Sequence, residues 1–174
     1  MNNRRSFIKK SSTGIIGASL LSPFYNTSAK SYSRILGSND RIILAFQGLG
    51  RRFPGLLDSS LKMQNVGIKY FCDVMDKQID KANKRYFDLT QEKVNSEKNI
   101  HKIIDDKDVD ALIIATPDHW HTYAACKGME AGKHIYLEKP CSHNLRESEL
   151  LVNYQNYYNK SVQMGNQQRS SYET

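Results

Sequence analysis

Three observations predict an α/β fold built on a doubly wound parallel sheet. Short apolar runs recur with little polar interruption, as strands covered on both faces require: Arg41–Phe46, Ala111–Ala115 and His134–Leu137. Segments of helical period alternate with them. The first run opens at once onto Gly48-Leu49-Gly50, a tight turn leading into a helix.

Taken in order, the first strand is Arg41 to Phe46, and a helix follows the glycine turn from about Pro54, with Leu57 and Leu61 one turn apart. Ile68 to Cys72 is a second strand ending in Asp73. Asp76 to Phe87 carries Ile79, Ala82 and Tyr86 at helical spacing. The polar stretch Thr90–Lys98 has room for a short third strand around Val94, and Asn99–Ile104 is a brief helix. Asp110 to Pro140 is one strand–helix–strand unit. Ala111–Ala115 is broken by Thr116-Pro117, Asp118 caps a helix to about Met129, Gly132 stops it, and His134–Leu137 ends at Glu138-Lys139-Pro140. Asn144–Asn159 forms an amphipathic helix, with Leu150, Tyr154 and Tyr157 on one stripe beside Leu151 and Tyr158; its tyrosines are expected to pack in the core and at its rim. Ser161–Met164 is the last strand, and Gly165–Arg169 leaves its carboxyl end.

The 174 residues suffice for one domain with a proper core, and 39% hydrophobic with 25% charged residues is an ordinary soluble balance. The net charge of +7 is concentrated in the leader: Arg4, Arg5, Lys9, Lys10 and Lys30 face no acid within residues 1–30. The remainder is nearly balanced, so no nucleic-acid surface is implied. Cys72, Cys126 and Cys141 lack C-x-x-C spacing, and no disulfide framework is expected.

The leader reads Asn3-Arg4-Arg5-Ser6-Phe7-Ile8-Lys9-Lys10, then a weakly apolar stretch from Thr13 to Leu21. A positive segment before a short apolar one is an export pattern, too short for a stable membrane span. The paired arginines before Phe7 resemble a bacterial twin-arginine signal, which implies the twin-arginine translocase as a partner and a periplasmic destination. Residues 1–29 are read as that signal, 30–39 as a linker and 40–169 as the nucleotide-binding domain.

The polar residues that can carry chemistry sit at strand ends. Gly48 permits the tight turn, Gly50 lets backbone approach a pyrophosphate, and the amides from Leu49 onward face the charge. Asp73 ends the second strand, where an acid hydrogen-bonds the adenosine ribose. It would repel a 2′-phosphate, so NAD is expected in preference to NADP. Phe53 stands where the G-x-G-x-x-G pattern has its third glycine, so the helix start must sit differently. His119 and His121, with Cys141 and His143 beyond another strand, lack the spacing of a structural zinc site, and no metal is expected. Glu138 and Lys139 end a buried strand, where charges must be solvated or paired. Lys139 can bind a substrate hydroxyl or share in its deprotonation, with Glu138 as its partner or as a ribose contact.

The run Ala115-Thr116-Pro117-Asp118-His119-Trp120-His121, then Ala131-Gly132-Lys133-His134 and Glu138-Lys139-Pro140, resembles the Gfo/Idh/MocA oxidoreductases, the family of glucose–fructose oxidoreductase and inositol dehydrogenase. The resemblance covers almost everything after residue 40. It implies a Rossmann-type domain in which Thr116, Pro117, His121 and Glu138 line the cofactor and Lys139 is shared between nicotinamide and sugar. Asp118 stands where many members carry Asn. Gln167 and Arg169 follow the last strand, where members often place a further cofactor contact.

The resemblance also implies a second α+β substrate domain, which is expected to begin at residues 170–174 and is otherwise absent from this chain. The expected activity is hydride transfer between nicotinamide and a hydroxyl of a sugar, cyclitol or glycoside, by an enzyme that is a homo-oligomer when full length. Two alternatives stand beside it: a glycosidase using NAD for transient oxidation, and a non-catalytic nucleotide-binding module. The fragment alone is expected to be inactive.

Overall fold

The structure is a computed structural model and describes residues 41–170. The predicted export signal at 1–29, the linker at 30–39 and residues 171–174 lie outside the described residues. Six strands, all parallel, form one sheet in the order β3-β2-β1-β4-β5-β6. They are β1 (Ile42–Gln47), β2 (Val66–Cys72), β3 (Asn95–Glu97), β4 (Ala111–Ile114), β5 (His134–Glu138) and β6 (Val162–Gly165). The connecting helices are α1 (Phe53–Leu61), α2 (Asp76–Thr90), α3 (Ile100–Asp105), α4 (His121–Glu130) and α5 (Leu145–Tyr158). The strand order reverses between β1 and β4, so a crevice opens there at the carboxyl ends.

Side chains alternate between two cores, one on each face. Leu44, Phe46 and Phe71 meet Phe53, Leu57, Ile79 and Tyr86 from α1 and α2. Ala45, Leu112, Ile114, Ile135 and Leu137 meet Ile103, Ala124, Ala125, Met129 and Leu151 from α3, α4 and α5. The period-2 alternation of strands makes this division inevitable once helices cover both faces.

Phe53, the departure from the glycine pattern, is 2% exposed. Its ring meets Phe46 and Phe71 edge-on at 5.4 and 5.0 Å, so the start of α1 is fixed by aromatic packing. Three elements differ from expectation. The third strand is Asn95–Glu97, just beyond Val94, a polar edge strand with one paired side. The helix expected from Asp118 is divided into a 3-10 turn, Asp118–Trp120, and α4. On α5 the line turned inward is Leu151, Tyr154 and Tyr158; Tyr157 is 82% exposed and Leu150 also faces outward. Among the described residues no helix is long and apolar enough to cross a membrane.

Candidate functional site

The turn after β1 is shaped by Gly48, at φ +86°, where a Cβ would lie 2.6 Å from the Ala115 carbonyl carbon and oxygen. Both the backbone conformation and the approach of β4 require glycine there. A Cβ on Gly50 would meet nothing within 4 Å, which leaves that backbone open to a ligand. Asp73, just past β2, accepts from the Leu49 amide at 2.8 Å through Oδ2 and from the Met75 amide at 2.9 Å through Oδ1. The acid expected at the ribose is therefore fixed in place, and its charge lies on the wall of a cleft of about 410 Å³.

That cleft is lined by Gly48, Asp73, Thr116 and Pro117, together with Gln47 and Trp120. Gln47 Oε1 and Thr116 Oγ1 are buried without a hydrogen-bond partner among the described residues. Buried polar atoms are normally satisfied, so two orphans in one cleft fit a ligand bearing hydroxyl or amide groups. The glycine approach, the open Gly50 backbone and the fixed carboxylate fit the diphosphate and ribose of a dinucleotide. Gln47 was not singled out in the sequence, although a polar residue closing an apolar strand was the available signal.

At the far side of the crevice the chain bends at a cis Lys139–Pro140 bond. Glu138 is 5% exposed, and its Oε1 accepts from Arg52 Nε at 2.8 Å and from Gln167 Nε2 at 2.8 Å. Its Oε2 accepts from Gln167 Nε2 at 3.2 Å and from the Lys139 amide at 3.3 Å. Burial pushes the carboxyl up, but the bonds from Arg52, Gln167 and the Lys139 amide outweigh it and hold it below its ordinary value. Glu138 is thus paired with Arg52 rather than with the lysine beside it. Lys139 is exposed, and its ammonium has no acceptor among the described residues. Arg52, placed by the turn before α1, was not found from sequence, because its partner lies 86 residues away.

His121 is not among the residues that line this cleft. It is 1% exposed, with Nδ1 2.6 Å from the Pro140 carbonyl oxygen and Nε2 2.9 Å from that of Thr116. The neutral ring donates to one of these; only the doubly protonated ring donates to both. Beginning α4 at His121 turns the ring under the loops, where it clasps the turns after β4 and β5 together. Asp118 accepts from the His119 amide at 2.9 Å and lies 3.6 and 3.5 Å from the rings of His119 and His143. That backbone bond, with the two rings nearby, holds its carboxyl below the usual range.

Residues 50–166 match the model of the oxidoreductase family with a NAD-binding Rossmann fold, Gfo/Idh/MocA. Among similar sequences, a glycosyl hydrolase family 109 protein of Shewanella pealeana is 28% identical over 166 residues, covering 86% of this chain and 36% of the relative. One of Parabacteroides distasonis is 29% identical over 164 residues, covering 87% and 35%. The chain thus spans little more than a third of these relatives' length. The apo scyllo-inositol dehydrogenase of Lactobacillus casei superposes with a TM-score of 0.66 at 22% identity, over 75% of this chain and 38% of that one. The WlbA dehydrogenase of Bordetella pertussis, solved with NADH and UDP-GlcNAcA, does so at 0.65 and 19% identity, over 75% and 36%. These two likenesses concern the fold, which is the Rossmann-type α/β sheet. With its glycine turn, its Glu-Lys-Pro turn and a family match across nearly the whole sheet, the chain belongs to the Gfo/Idh/MocA oxidoreductase family and carries its NAD-binding domain.

Proposed function

We propose that this domain is the cofactor half of an exported, NAD-dependent enzyme that oxidises a hydroxyl of a sugar, cyclitol or glycoside. The observation that carries the reading is Lys139, an exposed cation at the carboxyl end of β5 with no acceptor among the described residues, whose neighbour Glu138 is committed to Arg52. Bound nicotinamide would accept a hydride from the substrate carbon. Lys139 would orient and polarise the hydroxyl on that carbon, favouring transfer of its proton to a base in the full-length enzyme. Gly48, Leu49 and Gly50 would hold the diphosphate, and Asp73 the adenosine ribose. Thr116 and Gln47 would take hydroxyl or amide groups through their unsatisfied oxygens. Pro117 would bound the cleft beside them. Asp73 supports NAD over NADP, because a 2′-phosphate would meet a carboxylate already anchored by two amides. Replacing Asp73 with Ala should weaken NAD by about 1–3 kcal/mol, the cost of leaving buried partners unpaired.

A second reading is favoured by the names of the relatives. A family 109 glycosyl hydrolase character would mean that oxidation is transient and that glycoside cleavage is the net reaction. Assaying the full-length protein with sugars and simple glycosides separates the two. Accumulating reduced cofactor supports the dehydrogenase. Released aglycone with no net cofactor reduction supports the glycosidase, and neither signal would sink both. The paired Arg4-Arg5 supports export as a folded protein by the twin-arginine translocase. Changing both to Lys should retain the precursor in the cytoplasm on fractionation; unchanged export would refute that route. The full-length enzyme is expected to be a homo-oligomer, which sedimentation would test.

A further inference from the structure

Glu138 and Arg52 join two turns that are distant in the chain. Arg52 is the N-cap residue of α1, on the turn after β1, whereas Glu138 ends β5, and β4 lies between those strands in the sheet. Their 2.8 Å ion pair therefore ties the turn after β1 to the end of β5 across the carboxyl end of β4. The surroundings are built to receive it. A Cβ on Gly165 would stand 2.6 Å from Tyr136 Oη and 3.0 Å from Glu138 Oε1, so β6 leaves that space clear. Gln167, just after β6, supplies the second donor to the carboxylate. The arginine side chain is 43% exposed and the glutamate side chain 6%, so the cation lies at the rim and the anion is enclosed. The guanidinium can fill this role from the rim because its flat fork directs Nε at the carboxylate from a side chain that is otherwise half exposed.

We propose that Arg52 is a positioning residue: by pairing with Glu138 it fixes the spacing between the glycine turn and the Glu-Lys-Pro turn, and so sets the affinity for a dinucleotide lying across both. The inference rests on the cofactor reading above. Without Arg52 the enclosed carboxylate keeps only neutral donors, Gln167, the Lys139 amide and a long bond of 3.5 Å from the Tyr136 hydroxyl, and an uncompensated buried charge drives the turn to rearrange or take up a proton. The backbone leading into Lys139 moves with it. Because the pair is one device, losing either partner should cost what losing both costs.

The test titrates NAD by calorimetry into the wild-type chain and into Arg52→Gln, Arg52→Lys, Glu138→Gln and the Arg52→Gln/Glu138→Gln double variant, with a thermal melt of each. The expected result is an affinity about tenfold or more weaker for each Gln variant, no further loss in the double variant and partial recovery with Lys. Arg52→Lys keeps the test open if Arg52→Gln folds poorly. Lower melting temperatures with unchanged NAD affinity would mean a merely structural pair and would overturn the proposal, as would additive losses. A wild-type chain that binds no NAD would sink the cofactor reading itself. Wild-type binding with an unaffected Arg52→Gln variant would sink this proposal alone.

Discussion

The α1/α2 face of the sheet is filled by aromatic rings: Phe46, Phe53, Phe71 and Tyr86 meet edge to face at centroid distances of 5.0 to 5.8 Å. The α3/α4/α5 face is filled by branched aliphatics against small residues, with Ala124, Ala125 and Gly128 bringing α4 close to β4 and β5. Each face also ties down the end of β5 in its own way. On the first, Arg52 holds Glu138 through an ion pair. On the second, His121 holds the Pro140 carbonyl and that of Thr116. Lys139 lies between these two anchors in sequence, with no acceptor for its ammonium among the described residues. An exposed cation thus stands at the end of a buried strand with the residues on either side of it fixed from opposite faces.

The comparison can be broken most strongly in the cores. Phe53→Ala should destabilise the fold by about 3–5 kcal/mol, since it removes a ring that two others pack against. On the opposite face, where α4 has no room to spare, Ala125→Leu should cost about 1–3 kcal/mol by overpacking. Denaturant melts of both variants check the order. Equal costs would mean that the two cores are not packed on different principles.

Replacing His121 with Leu changes the volume little and deprives two carbonyls of their contact with the imidazole nitrogens. A loss of about 1–3 kcal/mol is expected from unsatisfied buried acceptors. Weaker NAD binding should accompany it if the clasp shapes the turn that carries Lys139. Unchanged stability and binding would show that His121 is only filler.

The smallest effect is expected away from the crevice. Asp106 accepts from Lys69 and Tyr70, and the bond from Lys69 leads in lowering its carboxyl to about 2. Its folded value lies below the unfolded one, so its contribution is fully present above pH of about 4 and is lost as the pH falls from there to about 2. Asp106→Asn should flatten melting temperature against pH in that window. An unaltered profile would refute the assignment.

Much of this arrangement was legible in the chain. Strand positions, the glycine turn and the Glu-Lys-Pro turn follow from apolar runs and from charges placed where a buried strand ends. The third strand was only half legible, because an edge strand such as Asn95–Glu97 needs no apolar run. The stripe on α5 was ambiguous: Leu150-Tyr154-Tyr157 and Leu151-Tyr154-Tyr158 are both helical lines, and packing against α4 selects the second. Arg52 and His121 were illegible for another reason. The partners of Arg52 and one partner of His121 are set by sheet order rather than by local spacing, so a rim arginine looks idle and the clasp made by an inward histidine leaves no sequence signal.

The central claim is that the cleft between Asp73 and Thr116 holds NAD. Its most direct test is a calorimetric titration of the chain with NAD and with NADP under identical conditions. Saturable one-to-one binding of NAD, with NADP weaker and with both the affinity and this preference reduced in Asp73→Ala, is the predicted result. No NAD binding, or NADP binding as tightly or more tightly, would contradict it.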